Sequence, residues 1–168
     1  MLERLVEEVL SHKVAERRFQ AALSIALSPY RARVARGAAR HLVEGVPGDP
    51  VLAERVVVLL TAVATEAEWE TMRSLAEDPS SPHHLGAFVA LAHIPLSGVR
   101  TPVDLWPLRS PAEVPPETLR AAVYYAGMTA DPALEELKDD PAQEQWVRTA
   151  ARWWLREGPA IHEQPPLL

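Results

Sequence analysis

The stretch DDPAQEQWVRTAARWWLREG, residues 139–158, indicates the fold, because it joins a helix start signal to a helical apolar pattern. Asp140 precedes Pro141, and a proline at the first helical position costs little, since its missing N–H would have had no partner there. Beyond the proline, apolar residues recur at the three- and four-residue spacing of a helix. The stretch therefore predicts an Asp-Pro start or tight turn followed by an amphipathic helix at 141–157.

The same start signal recurs along the chain. A Ser, Thr or Asp that can accept from a free amide precedes a proline at six further places: Ser28-Pro29, Asp49-Pro50, Asp78-Pro79, Ser81-Pro82, Thr101-Pro102 and Asp131-Pro132. The apolar spacing between these marks is helical, and no segment shows sustained strand alternation. The sequence therefore predicts an all-α protein with a short turn around Leu105 and Trp106 and with these further helices: 14–27, 29–44, 50–64, 66–77, 82–94, 116–128 and 132–138.

Several of these segments match one another, which indicates an internal repeat. EDPSSPHHLGAFVALAHIP at 77–95 can be laid over 139–158 with the two Asp-Pro pairs in register. RARVARGAARHLVEG at 31–45 and TLRAAVYYAG at 118–127 share with the end of that stretch an arginine that is followed within three residues by two alanines. The implied unit is a short first helix, an Asp-Pro turn and a second helix that reads apolar-Arg-x-Ala-Ala.

This unit resembles the HEAT repeat of the PBS-lyase/HEAT type. The best match is ALEELKDDPAQEQWVRTAARWWL at 133–155, followed by 66–94 and then by 14–44 and 101–128. The helix predicted at 50–64 stands outside these pairs and breaks their strict alternation. The resemblance predicts stacked antiparallel helix pairs, in a short HEAT-like α-solenoid whose neighbouring pairs share a core.

The resemblance also implies an organisation and a set of structural arginines. We expect one repeat domain at 1–158 and a C-terminal tail at 159–168. Arg120 and Arg148 fall where HEAT-like proteins often place an arginine that bonds an acidic residue of a neighbouring turn. These two side chains are therefore expected to form structural ion pairs.

The composition narrows the classes of function. The chain contains no cysteine, which removes disulfides, thiolate metal sites and cysteine nucleophiles. Glu3, Glu7 and Glu8 do not fit an export signal, and the longest apolar run, 56–64, is far shorter than the about 20 residues that span a bilayer. We therefore expect a cytoplasmic protein that does not insert into membranes.

Catalytic and metal-binding patterns are missing from the sequence. His83, His84 and His93 do not have the spacing of a helical zinc site. Glu66 and Glu68 are explained as acidic residues in the first turn of a helix, near its positive dipole. No glycine-rich phosphate loop and no nucleophile motif is present. We therefore predict no catalytic residues, no metal and no cofactor.

Two sets of arginines each share one face of a helix. Their members lie three or four residues apart: Arg33, Arg36 and Arg40 in one helix, and Arg148, Arg152 and Arg156 in the other. If both are second helices of their pairs, the sets form one ridge that could contact an acidic protein surface or a phosphate backbone. The alternative is a solvated face with local pairing, for instance to Glu44 or Glu144.

Trp146, Trp153 and Trp154 form a third candidate set near the C-terminus. Neighbouring residues on a helix differ by about 100°, so Trp153 and Trp154 cannot both point inward. At least one should lie at the surface, where tryptophan is a common interface anchor. The alternative, which stays open, is that these rings dock the chain's own tail at 161–168.

Taken together, these observations predict a non-catalytic adaptor or regulatory subunit that binds a protein partner. The predicted contacts are Arg33, Arg36, Arg40, Arg148, Arg152, Trp146 and Trp153. One alternative is nucleic-acid binding or a DNA-repair glycosylase of the alkylpurine type, with Trp146, Trp153, Asp140 and Arg148 in a concave groove. The net charge of −6 disfavours it, although residues 1–60 hold nine Lys and Arg against seven Asp and Glu. The other alternative is a homodimer.

Overall fold

The computed structural model describes three stretches of the chain: 1–44, 49–94 and 102–163, without the side chains of 50 and 161–163. The described residues form helices and no strand, so the predicted all-α class is confirmed. Their contacts divide the chain into two compact units, unit 1 at Met1–Val103 and unit 2 at Asp104–Leu168. The single domain predicted at 1–158 stays a prediction, and each unit is described by itself.

Unit 1 contains six helices in the described residues: α1 (Leu2–Ser11), α2 (Ala15–Ala26), α3 (Arg31–Glu44), α4 (Pro50–Val63), α5 (Glu66–Glu77) and α6 (His84–His93). The most extensive contacts join α1 to α2, α3 to α4 and α5 to α6. The second helices of successive pairs also contact one another: α2 contacts α4, and α4 contacts α6. Ile25, Leu60 and Phe88, one from each second helix, are fully buried in this core.

The pairing differs from the one that the sequence predicted for 14–44. α2 packs mainly on α1 and touches α3 only slightly, while α3 packs on α4. The cause is α1, which is absent from the predicted helices although Leu2, Leu5 and Val9 have helical spacing. Once α1 is included, α4 no longer breaks the alternation, and the helix that carries Arg33 becomes the first of its pair rather than the second.

The Asp-Pro pairs act as the sequence predicted. Asp49 caps α4, because its Oδ1 accepts from the amides of Val51 and Leu52 at 3.0 and 3.1 Å. Three further aspartates close a turn by accepting from the amide two residues on, each at 2.9 Å: Asp78 from Ser80, Asp131 from Ala133 and Asp140 from Ala142. Thr101 lies outside the described residues.

Unit 2 contains α7 (Trp106–Arg109), a short 3-10 helix (Pro111–Glu113), α8 (Pro116–Met128), α9 (Ala133–Leu137) and α10 (Gln145–Glu163). α10 packs on both α8 and α9, and α7 packs on α8. Ala122, Ala126 and Ala151 are fully buried, and such small side chains let helices approach closely. Gln143, also buried, donates from Nε2 to the Leu108 carbonyl at 2.6 Å.

α10 begins later and ends later than the predicted helix at 141–157. It begins later because Asp140 and Pro141 form a turn instead of the first helical residues. It continues through the exposed Pro159, although a proline inside a helix removes one backbone hydrogen bond. The predicted tail at 159–168 is thus helical as far as Glu163, and the rest of it lies outside the described residues.

Candidate functional site

One face of α10 carries two aromatic side chains, the half-buried Trp146 and the exposed Trp153. Trp146 and Trp153 are seven residues apart, which places them on the same side of the helix. Val147 and Ala151 are fully buried on the opposite side. An open, mostly apolar groove of about 670 Å³ follows the aromatic side, lined by Gln145, Trp146, Thr149, Ala150, Trp153 and Trp154. We call this surface the tryptophan face.

The two adjacent tryptophans divide as the sequence predicted. Trp153 is 42% exposed, while Trp154 is half-buried and turns towards α8. The ring of Trp154 lies directly against Gly127, where a Cβ atom would overlap it. Trp153 meets Trp154 edge to face with the ring centroids 5.0 Å apart. Trp154 therefore holds α10 on α8, and Trp153 is left available at the surface.

Two side chains of α8 complete the tryptophan face. The guanidinium of Arg120 lies 6.0 Å from the centroid of the Trp146 ring, within cation–π distance. The Tyr124 ring meets Trp154 at 5.9 Å, and burial raises the pKa of its phenol. Trp146 donates from Nε1 to Glu144 at 2.8 Å. The face thus combines an apolar floor with a positive charge at one edge.

Of the arginines predicted as contacts on α10, Arg148 and Arg152 do not lie with the two tryptophans. Arg148 is half-buried and lies about 140° around the helix from Trp153. Arg152 pairs with Asp139 at 3.3 Å and Arg156 with Glu157 at 2.8 Å, on exposed side chains that contribute little stability. Only Trp146 and Trp153 of the predicted contacts on α10 are brought together in the groove.

The predicted arginines of α3 do share one exposed face in unit 1. Arg33, Arg36 and Arg40 are all exposed, opposite the buried core side of the helix. None of the three forms an ion pair with any residue in the described stretches, so the suggested local pairing with Glu44 is not seen. We call this surface the arginine face of α3.

The two arginines expected to form structural ion pairs behave differently. Arg120 is exposed and lies over Trp146, as described above. Arg148 is half-buried beside the core of unit 2. Neither forms an ion pair within the part of the chain that the structure describes. The cation–π position of Arg120 is the contribution that sequence reasoning missed.

Other arginines hold unit 1 together through backbone carbonyls. Arg31 donates from Nε to the Val63 carbonyl and from Nη2 to the Ala64 carbonyl, each at 2.9 Å. Arg55 donates to the Leu10 carbonyl at 2.6 Å. Both contacts satisfy carbonyls at a helix C-terminus, where a positive charge also suits the dipole. The sequence contains no local signal for these contacts, because each arginine and its acceptor lie more than 30 residues apart.

The side chains proposed for a glycosylase-like group are not brought together. The groove contains Trp146 and Trp153 but neither Asp140 nor Arg148. Asp140 instead accepts from the amide of Ala142 in the turn before α10. The arrangement therefore does not bring Asp140 and Arg148 beside the two tryptophans, as the glycosylase-like group would require.

His84 and Glu68 of unit 1 form contacts that stabilise the local structure. His84 is buried, and its Nε2 contacts the Asp78 carbonyl. Glu68 accepts from the amide of Thr65 at 2.8 Å, which completes a capping box at the start of α5. Among the described residues, no cluster of three or more His, Asp and Glu could hold a metal ion. No helix in those residues has the length and apolar character to cross a membrane.

Comparison with known proteins adds no relative. No family model matches the sequence, and neither the curated proteins nor the solved structures contain a match. The resemblance to HEAT repeats therefore rests on the sequence pattern alone.

Proposed function

We propose that this chain is a non-catalytic adaptor or regulatory subunit that acts in the cytoplasm by binding a segment of another protein on the tryptophan face. The observation that carries the proposal is Trp153, a large aromatic side chain left 42% exposed on a rigid helix. Tryptophan is enriched among the few residues that supply most of the binding energy in protein interfaces. A tryptophan that the described residues of its own unit leave exposed is therefore best explained as an anchor.

The surroundings of Trp153 support a preformed site. Trp154 is fixed against Gly127, so the floor beneath Trp153 does not need to be ordered when a partner binds. A groove of about 670 Å³ lies in the size range of pockets that accept small ligands or a few side chains of a peptide. Preorganisation of this kind lowers the entropic cost of binding.

The chemistry of the face indicates what the partner segment should look like. Trp146, Ala150 and Trp153 offer an apolar surface for one or two aliphatic or aromatic side chains. Arg120 at the edge offers a charge for an acidic residue next to those anchors. We therefore propose an apolar partner segment flanked by a carboxylate. The predicted contacts Arg148 and Arg152 would lie at the side of such a segment rather than beneath it.

We further propose that unit 1 is a short HEAT-like stack. Three helix pairs in succession, with α2 touching α4 and α4 touching α6, support this proposal. A stack of pairs offers extended surfaces for protein partners. In this proposal the contact residues of unit 1 are Arg33, Arg36 and Arg40, which project from a first helix, α3, and not from the row of second helices.

The test is the affinity for a purified partner after a change that removes only the anchor. We expect Trp153→Ala to weaken binding at least 30-fold, the loss typical of a hot-spot residue that contributes about 2 kcal/mol or more. Tyr30→Ala is the matched control, since Tyr30 is an aromatic side chain of similar exposure, 49%, in unit 1. Isothermal titration calorimetry measures both, after a partner has been isolated by crosslinking. Equal affinities for the two variants would contradict the proposal. Sedimentation of the chain alone tests the alternative that it forms a homodimer.

A further inference from the structure

Gly37 occupies an unusual position in the middle of α3. Glycine in a helix interior is destabilising relative to alanine, so an internal glycine usually has a packing reason. Gly86 and Gly127 have such reasons, because a Cβ atom would collide with the Leu42 carbonyl and with the Trp154 ring. A Cβ atom on Gly37 would meet nothing within 4 Å. Nothing in the described parts of unit 1 therefore requires glycine at this position.

Gly37 lies between the members of the arginine face. It is four residues after Arg33 and three before Arg40, the spacings that place side chains next to each other on a helix. The three arginines span about 10 Å along the axis at 1.5 Å per residue. The surface thus has one partly exposed position without a side chain beside exposed guanidinium groups that have no ion pair in the described residues.

We infer that the arginine face of α3 docks an acidic helix of another protein, whose backbone packs closely at Gly37 while its carboxylates pair with Arg33, Arg36 and Arg40. A missing side chain lets two helix backbones approach each other, and arginine pairs with carboxylates through two parallel hydrogen bonds. The inference rests on the proposed function of protein binding and develops its unit 1 contacts, but it does not involve the tryptophan face of unit 2, so the two proposals can fail separately.

Charge favours an acidic protein over a nucleic acid as the occupant. The chain has a net charge of −6, and a nucleic-acid surface generally needs a larger excess of cations. Glu44 follows Arg40 by four residues, near the end of the same face. A carboxylate there repels a phosphate backbone, whereas a protein helix can place a basic residue opposite it. The complementary pattern is three acidic residues followed by a basic one.

The probe is a fluorescent synthetic helix with Glu at three positions of one face, spaced i, i+3 and i+7 like the three arginines, with an alanine at i+4 and a Lys at i+11. Fluorescence anisotropy with the full chain should give saturable binding that weakens at least tenfold when the glutamates become glutamines. Arg36→Gln with Arg40→Gln should weaken binding at least tenfold. Arg4→Gln with Arg17→Gln, which removes two exposed arginines of the same unit, should change it less than twofold.

Gly37→Ala separates a binding role from a structural one. The variant should raise Tm by about 2 °C, because alanine favours the helix, and should weaken the acidic helix at least fivefold. Trp153→Ala should leave this binding unchanged, which distinguishes failure here from failure of the proposed function. The inference is overturned if the probe does not bind, if Gly37→Ala leaves its affinity unchanged, or if a short DNA duplex binds more tightly than the peptide and loses affinity in the Arg36 and Arg40 variant.

Discussion

The two units of this chain use their arginines and large side chains in opposite ways. In unit 1, Arg31 and Arg55 reach backbone carbonyls at the ends of other helices. In unit 2, the close contact is steric, with the ring of Trp154 against Gly127. On α10, Arg152 and Arg156 pair with carboxylates at the surface. Arginines thus bond distant backbone carbonyls in unit 1, whereas an aromatic ring packed on a helix backbone joins α10 to α8 in unit 2.

In each unit, the packing of one set of side chains determines which neighbouring side chains stay exposed for a partner. Packing Trp154 inward fixes α10 on α8 and, because adjacent positions differ by about 100°, leaves Trp153 outward. In unit 1, Arg31 and Arg55 donate to backbone carbonyls at helix ends. The three arginines of the arginine face of α3 form no ion pair with a described residue. In both units, therefore, the side chains that stabilise the unit and the side chains left for a partner are close in sequence but distinct in position.

The largest expected effect concerns the packing contact of unit 2. Gly127→Ala places a methyl group where the Trp154 ring now lies, and neither the ring nor the helix backbone can move away easily. We expect the free energy of unfolding to fall by about 2 kcal/mol and Tm to fall by about 4 to 8 °C. Differential scanning calorimetry measures the change.

The matched control is a second variant in which Gly127→Ala is combined with Trp154→Leu. A smaller side chain at 154 should make the added methyl group less costly than it is in the wild-type background. If Gly127→Ala leaves Tm unchanged in the wild-type background, the steric account of unit 2 is wrong.

A smaller effect is expected from the polar contacts of unit 1. Arg31→Gln removes the donors to the Val63 and Ala64 carbonyls, and we expect the free energy of unfolding to fall by about 1 kcal/mol. Urea denaturation followed by circular dichroism is the measurement. Arg33→Gln, two residues away and exposed, serves as control and should change stability by less than about 0.5 kcal/mol. Equal losses in both variants would show that Arg31 does not cap α4.

The smallest expected effect is a gain. Ala130 has a φ of 51°, and it ends α8 with the Asp131 amide donating to the Ala126 carbonyl at 2.9 Å. Glycine is the usual residue at this left-handed position. Ala130→Gly should therefore stabilise the chain by about 0.5 kcal/mol in the same urea assay. Ala133→Gly, in right-handed α9, should lower stability, and a loss in both variants would rule out strain at Ala130.

Much of the secondary structure was predictable because its signals are local. The Asp-Pro pairs marked helix starts and turns, since an aspartate that accepts from the amides beyond it needs no distant partner. The pairing of helices was predicted wrongly at 14–44, because the N-terminal residues were not recognised as a helix, so that α2 was paired with α3 and α4 was left without a partner. The pair expected at 66–94 was predicted correctly, since α5 packs on α6. The helical end of α10 beyond Pro159 was also missed.

The candidate site was predictable only in part. The division between Trp153 and Trp154 follows from helix geometry, so the sequence could indicate a surface tryptophan. The separation of Arg148 from that surface depends on which side of α10 packs on α8, and the position of Arg120 over Trp146 depends on contact between two helices. Neither is encoded by spacing within one segment.

The most direct test of the central claim places a photo-crosslinking amino acid, p-benzoylphenylalanine, at position 153 of the full chain in its native cells. If another protein binds the tryptophan face, we expect one dominant covalent adduct with that protein after irradiation. We expect no such adduct when the same amino acid replaces Tyr30. If position 153 yields no adduct, or only adducts of the chain with itself, then no other protein covers the tryptophan face and the proposed function is contradicted.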